Sequence, residues 1–205
     1  MKFFKRFFFC ARLLDDPVGA SLALNRLGVC FYKVGQFDKS LLIHKKHLAC
    51  TDQDNSFASL YNIGICYRAL ERPDQAHPFF ERALDWALCR KEPETICIAK
   101  GQMAITFLFL RTFEESVANF IECIELCRKM DSYKILLECH LSLGYLFWAL
   151  RDCEQSSKNF EAALEIAKQL GDKKIANLCL CNLGISGAHE MMSKVQIDLE
   201  PNIQE

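Results

Sequence analysis

The sequence predicts an all-α fold, an α–α solenoid in which pairs of helices follow one another along the chain. The first observation is a short pattern that recurs five times around a small residue, at Gly28, Gly64, Ala104, Gly144 and Gly184. These positions are 36, 40, 40 and 40 residues apart. A fixed period of this size indicates a repeat architecture.

A second pattern follows each of the first four small residues. It consists of a small side chain, a ring four residues later, and a third position three residues after the ring. The three positions are Ser40, His44 and His47; Ala76, Phe80 and Ala83; Ser116, Phe120 and Cys123; and Ser156, Phe160 and Ala163. Spacings of three and four place side chains on one face of a helix, so each repeat is predicted to be two amphipathic helices.

The small residues predict how the two helices of a repeat pack. A glycine inside a helix, such as Gly28, costs about 1 kcal/mol relative to alanine, which makes sense where two helix backbones must approach closely. The rings of the second pattern are then expected to fill the space between neighbouring helices. His44 and His47 occupy these positions, so they are interpreted as packing residues and not as metal ligands.

The register divides the chain into an array at residues 20–190. Its units lie near residues 21–54, 57–92, 97–132 and 137–172, with a half unit at residues 175–190. Residues 1–16 are interpreted as the remnant of a second helix from a preceding repeat, and the alternative is a helix at a membrane surface, because phenylalanines alternate with basic residues there. Residues 191–205 are predicted to be a disordered tail, since they are polar and contain Pro201.

Composition excludes several classes of function. The 25 basic and 26 acidic residues nearly cancel, which is not the basic field that binds nucleic acid. Twelve cysteines are scattered through apolar segments without a C-x-x-C pair, so they are predicted to be reduced, buried and free of metal. No apolar run approaches the roughly 20 residues of a membrane-spanning helix. We therefore expect a soluble cytoplasmic protein without a cofactor.

Catalytic motifs are absent from the sequence. It has no glycine-rich phosphate loop, no nucleophile elbow and no H-E-x-x-H helix. The chain is therefore predicted not to be an enzyme. A metal- or thiol-dependent enzyme or redox sensor remains the alternative from another class.

The repeated patterns resemble the tetratricopeptide repeat. The second unit carries the family pattern most completely, at Leu60, Ile63, Gly64, Tyr67, Ala76, Phe80, Ala83 and Leu84. The 40-residue period is similar to repeats in G-protein signalling modulators of the LGN/Pins type and in rapsyn, and the first units also resemble axonemal dynein docking proteins. The resemblance implies a right-handed superhelix whose first helices line a concave groove.

The groove positions that the resemblance implies are the candidate binding site. They are Asn25, Arg26, Lys33, Tyr61, Asn62, Arg68, Phe109, Tyr145 and Trp148. Phe109, Tyr145 and Trp148 are expected to form an aromatic patch, with core packing as the alternative for Trp148. Only Asn25 and Asn62 match the positions by which chaperone-binding relatives hold an acidic peptide, so that function is not expected.

The resemblance implies a scaffold or adaptor that holds a partner protein. The partner is expected to be a peptide or a helical segment, acidic and amphipathic in character. The alternative within binding proteins is a ciliary or cytoskeletal assembly factor related to dynein docking, which would associate with the cytoskeleton or the cilium.

Overall fold

The fold is all-α, as predicted. The structure, a computed structural model, describes residues 1–51 and 56–199, and side chains as far as Met192. These residues form ten α-helices and no strand. The first six helices are α1 (Lys2–Leu13), α2 (Pro17–Lys33), α3 (Phe37–Ala49), α4 (Phe57–Ala69), α5 (Pro73–Arg90) and α6 (Pro93–Leu110). The last four are α7 (Phe113–Lys129), α8 (Tyr133–Ala149), α9 (Cys153–Gln169) and α10 (Lys173–Leu199).

The chain divides into two compact units. The first covers Met1–Thr112 with helices α1 to α6, and the second covers Phe113–Glu205 with helices α7 to α10. The boundary falls between the two helices of the predicted third repeat. In the first unit α1 packs on α2 and each later helix packs on the one before it; in the second unit α8, α9 and α10 do the same.

Several helices begin about four residues before the predicted start of their repeat. Asp16 explains one case, because its carboxylate accepts a hydrogen bond from the Gly19 backbone N–H at 2.8 Å and Pro17 occupies the first helical position. Pro93 likewise occupies the first helical position of α6, although the Glu92 side chain does not cap this helix. At α9 the Asp152 carboxylate accepts from the Gln155 N–H at 3.0 Å.

The C-terminal end differs from the prediction of a disordered tail at residues 191–205. Helix α10 passes the expected end of the half unit at Glu190 and continues to Leu199. Residues 191–199 contain helix-forming Met, Lys and Gln and no proline, and the first proline is Pro201. The prediction was therefore wrong for residues 191–199, and residues 200–205 lie outside the described part.

The glycines of the first helices contact the rings of the second helices. A Cβ on Gly64 would lie 2.6 Å from Phe80 Cζ, and a Cβ on Gly144 would lie 2.8 Å from Phe160 Cε1. A Cβ on Gly28 would likewise overlap the His44 ring. The packing purpose of these glycines is confirmed.

The small residue of the second helix also makes a hydrogen bond across the pair. Ser40 Oγ donates to the Gly28 carbonyl oxygen at 2.8 Å, and Ser156 Oγ donates to the Gly144 carbonyl oxygen at 2.9 Å. Both serines are fully buried. The close approach therefore satisfies a buried hydroxyl as well as filling space.

Candidate functional site

In the first compact unit, the first helices of successive repeats are joined by side-chain hydrogen bonds on the predicted groove surface. Asn62 Nδ2 on α4 donates to Asn25 Oδ1 on α2 at 3.0 Å. Both side chains are half-buried. The two amides thus bond to each other across neighbouring helices, and each still has polar atoms to offer a ligand.

Arg68 is more enclosed than the sequence suggested. Its Nη1 donates to the Gln102 carbonyl oxygen on α6 at 3.2 Å, and its Nη2 donates to Gln102 Oε1. The guanidinium lies 5.4 Å from the centroid of the Phe80 ring. Burial lowers the pKa of Arg68 from its ordinary value, and Tyr61 and Tyr32 oppose that shift. Arg68 therefore joins α4 to α6, which limits the free charge it can offer.

The other predicted residues of the first unit differ in exposure. Arg26 and Lys33 on α2 are exposed. Tyr61 is half-buried, with its ring stacked on Phe57 at a centroid distance of 5.9 Å. Phe109 on α6 is 56% exposed, which is unusual for a phenylalanine.

The second unit holds Tyr145 and Trp148 on α8, facing α10. Asn182 Nδ2 donates to the Tyr145 hydroxyl oxygen at 3.2 Å. The Trp148 ring meets the His189 ring edge-on at a centroid distance of 5.4 Å. Trp148 is half-buried and Tyr145 is 43% exposed. Trp148 is therefore partly a packing residue, whereas Tyr145 is the more exposed of the two.

We name the surface shared by α8 and α10 the aromatic platform. Its residues are Tyr145, Trp148, Asn182, Ile185 and His189. Asn182, Ile185 and His189 follow at spacings of three and four, which place them on one face of α10. Ile185 lies between Asn182 and His189 on this face and is 55% exposed. The sequence prediction missed His189, although its spacing from Asn182 was a usable signal.

His189 has further neighbours at the edge of the aromatic platform. Arg151 Nη1 lies 3.3 Å from His189 Nε2, and Cys153 Sγ lies 3.6 Å from His189 Nδ1. Arginine offers only donors, so Nε2 is the acceptor in this contact.

The predicted patch of three aromatic residues is divided between the units. Phe109 belongs to the first unit, whereas Tyr145 and Trp148 belong to the second. Tyr145 and Trp148 share the aromatic platform. The inclusion of Phe109 in one patch with them stays a prediction.

The two histidines of α3 are buried, as expected of packing residues. His44 is 1% exposed and His47 is 4% exposed. His47 Nε2 lies 2.9 Å from Ser21 Oγ, and the Nδ1 atoms of both rings are buried without a hydrogen-bond partner. Burial, and to a smaller extent His47, lowers the pKa of His44 to about 4. Burial also lowers the pKa of His47.

None of the twelve cysteines, all of which lie in the described part of the chain, forms a disulfide, and not all of them are buried. Six are buried, at Cys66, Cys97, Cys123, Cys127, Cys139 and Cys179. The prediction of burial was wrong for four exposed ones, at Cys10, Cys50, Cys89 and Cys181. Cys50 and Cys89 lie at or near the end of a second helix, where the apolar stripe has already turned away from the core.

No helix in the described ranges is both long enough and apolar enough to cross a bilayer. In α1 the exposed Phe3 and Phe9 are interleaved with exposed basic residues, while Ala11 is buried against α2. Helix α1 therefore packs on α2, and its interpretation as the second helix of a preceding repeat stays a prediction.

Comparison with known proteins identifies related sequences and folds. The family model for the tetratricopeptide repeat matches residues 19–87. Outer dynein arm-docking complex subunit 4 of Mus musculus is 30% identical over 113 residues, which cover 54% of this chain and 18% of the mouse protein. The chain thus matches less than a fifth of that relative's length.

Two solved structures show the fold. BtubC (BKLC) from P. vanneervenii superimposes with a TM-score of 0.78 and 21% identity, covering 98% of this chain and 88% of BtubC. A Rap protein complexed with competence and sporulation factor has a TM-score of 0.72 and 13% identity, covering 88% of this chain and 52% of its own. The specific likeness to LGN/Pins-type modulators and rapsyn stays a prediction. Residues 19–87 thus match the tetratricopeptide-repeat family, and the described residues have an all-α tetratricopeptide-repeat fold.

Proposed function

We propose that this protein is a non-catalytic adaptor that binds a helical or extended segment of another protein on the surface of its first helices. The observation that carries the proposal is the exposure of Tyr145 and Ile185 on the aromatic platform. Aromatic and aliphatic side chains held at a protein surface are typical of contact sites. Tyrosine and tryptophan also contribute a large share of binding energy at interfaces.

The platform is organised before any partner arrives. The hydrogen bond from Asn182 fixes the Tyr145 hydroxyl, and the edge-on contact with His189 fixes the Trp148 ring. Side chains that are already ordered lose little conformational entropy on binding, which favours affinity. The platform therefore has the properties of a binding surface for an apolar helix face.

The charge expected of the partner follows from the exposed basic side chains of the first compact unit. Arg26 and Lys33 are exposed on α2, whereas Arg68 is engaged with Gln102. Exposed basic side chains attract an acidic segment and speed its association, and this effect weakens as salt rises. The proposed partner segment therefore carries acidic residues in addition to an apolar face.

A second candidate function is assembly of a cytoskeletal or ciliary complex in the cytoplasm or the cilium. The observation that favours it is the 30% identity to a mouse protein named as a subunit of the outer dynein arm-docking complex. Such a role would use the same binding surface with a different partner.

The proposal is tested with a display library of protein segments selected on the wild-type protein. We expect Tyr145→Ala to weaken the selected segment by at least about tenfold, because it removes an exposed interface aromatic. Tyr133→Ala is the matched control, since Tyr133 lies on the same helix with 44% exposure and outside the platform. Binding that both variants reduce equally, or that neither reduces, would contradict the platform as the site.

A further inference from the structure

Helix α10 exposes a face that the other first helices bury. A Cβ on Gly184 would meet nothing within 4 Å, whereas the equivalent Gly64 and Gly144 are covered by a ring of their second helix. Leu180, one turn earlier, is 52% exposed, although Leu60 at the same repeat position is 3% exposed. The face around Leu180 and Gly184 is thus a surface on which a second helix would pack, and we name it the exposed face of α10.

Helix α1 has the complementary feature. Phe8 stands 36 residues before His44, and Ala11 stands 36 residues before His47, which is the first repeat interval. Ala11 is buried against α2, as the pattern of a second helix requires. Phe8 is only half-buried, although the rings at its position elsewhere are almost completely buried: His44 at 1%, Phe80 at 0% and Phe160 at 1%.

The side-chain volumes of these two helices also complement each other. In the second repeat the large Tyr67 of the first helix and the small Ala76 of the second belong to one buried cluster. The equivalent positions are Gly187 on α10 and Phe4 on α1. The large ring has moved from the first helix to the second, so the combined volume of the pair is retained. Close packing depends on such complementary volumes.

We propose that α1 of one copy packs on the exposed face of α10 of a second copy. The two helices then form a helix pair between two chains. Phe8 then covers Gly184, and Phe4 fills the space beside Gly187. The contact is heterologous, because it joins two different surfaces, so copies associate head to tail. Each helix pair of a repeat array packs on its neighbours, so an exposed packing face favours such stacking.

This contact is separate from the proposed partner surface. On α10 the aromatic platform consists of Asn182, Ile185 and His189, whereas the exposed face consists of Leu180, Gly184 and Gly187. At 100° per residue the two sets lie on opposite sides of the helix. A chain in a head-to-tail assembly can therefore still bind a partner.

Sedimentation velocity over a concentration series tests the proposal. The average mass of the wild-type protein should rise with concentration, and Gly184→Val and Phe8→Ala should each weaken association by at least about tenfold. At a concentration where both proteins are monomeric, Gly184→Val should keep the wild-type melting temperature, because the space around Gly184 is open within one chain. Tyr145→Ala should associate like the wild type, which separates this test from that of partner binding.

Mixing the two variants identifies the surfaces that meet. Phe8→Ala retains an intact α10 face and Gly184→Val retains an intact α1, so the mixture should form dimers and nothing larger. Normal association of Phe8→Ala alone would show α10 pairing with α10, and normal association of Gly184→Val alone would show α1 pairing with α1. Either result, or a wild-type protein that stays monomeric throughout, would overturn the proposal.

Discussion

Gly144→Val is expected to lower the free energy of unfolding by about 3 kcal/mol, because its side chain would overlap a buried ring. A Cβ at this position would lie 2.8 Å from Phe160 Cε1 and 2.9 Å from Cζ, and Phe160 is 1% exposed. Moving the helices apart would also lengthen the 2.9 Å hydrogen bond from Ser156 Oγ to the Gly144 carbonyl oxygen. Urea unfolding followed by circular dichroism measures the loss.

Gly184→Val is the control for this prediction, at a position where an added Cβ meets nothing within 4 Å. It is expected to change the free energy of unfolding of the monomer by less than about 1 kcal/mol, since valine and glycine differ modestly in helix propensity. Measurements are made at a concentration where the protein is monomeric. Equal stabilities of Gly144→Val and the wild type would contradict the assigned packing.

The glycine positions also show how much of the fold the sequence could predict. The period placed each glycine opposite a ring, because the spacing between the two patterns is constant in the first, second and fourth repeats. The hydrogen bonds of Ser40 and Ser156 were not predicted, since a small residue was explained by space alone. The recurrence of serine there was a usable signal. The continuation of α10 to Leu199 was not predicted. It depends on the helix propensities of residues 191–199, which the overall composition of the tail does not reveal.

The sequence predicted the helix on which each candidate residue lies, but not the contacts that the residue makes. The repeat register correctly placed Asn25 and Asn62 on neighbouring first helices, where they bond to each other. It could not show that Arg68 reaches Gln102, because that contact depends on the distance between helices and on side-chain rotamers. For the same reason the packing of Trp148 on His189 appeared only in the structure.

His44→Phe is expected to stabilise the protein and to remove much of its sensitivity to acid. The folded-state pKa of His44 is lowered to about 4 from 6.5, so the unfolded state binds the proton more readily between these values. Stability is then complete above pH 6.5 and falls as pH decreases, by roughly 2 kcal/mol at pH 5. Phenylalanine carries no proton and occupies this position in the other complete repeats. It also removes the unpartnered Nδ1 atom from the core.

Urea unfolding of His44→Phe and the wild type at pH 7.5 and pH 5 measures this effect. Contributions of other titrating groups, including His47, cancel in the difference between the two proteins to the extent that they are independent. The stability advantage of the variant should be larger at pH 5 by roughly 2 kcal/mol. The same advantage at both pH values would show that His44 does not control the acid sensitivity.

The central claim is that the aromatic platform holds another protein, and site-specific photo-cross-linking tests it most directly. Benzoylphenylalanine is placed at Tyr145 in one sample and at Tyr133 in another, at nearly equal exposures of 43% and 44% on the same helix. After irradiation in a native extract, the probe at Tyr145 should give a discrete protein adduct that the display-selected segment competes away. The probe at Tyr133 should give none. An identical adduct from both positions, or no adduct from Tyr145, would contradict the account.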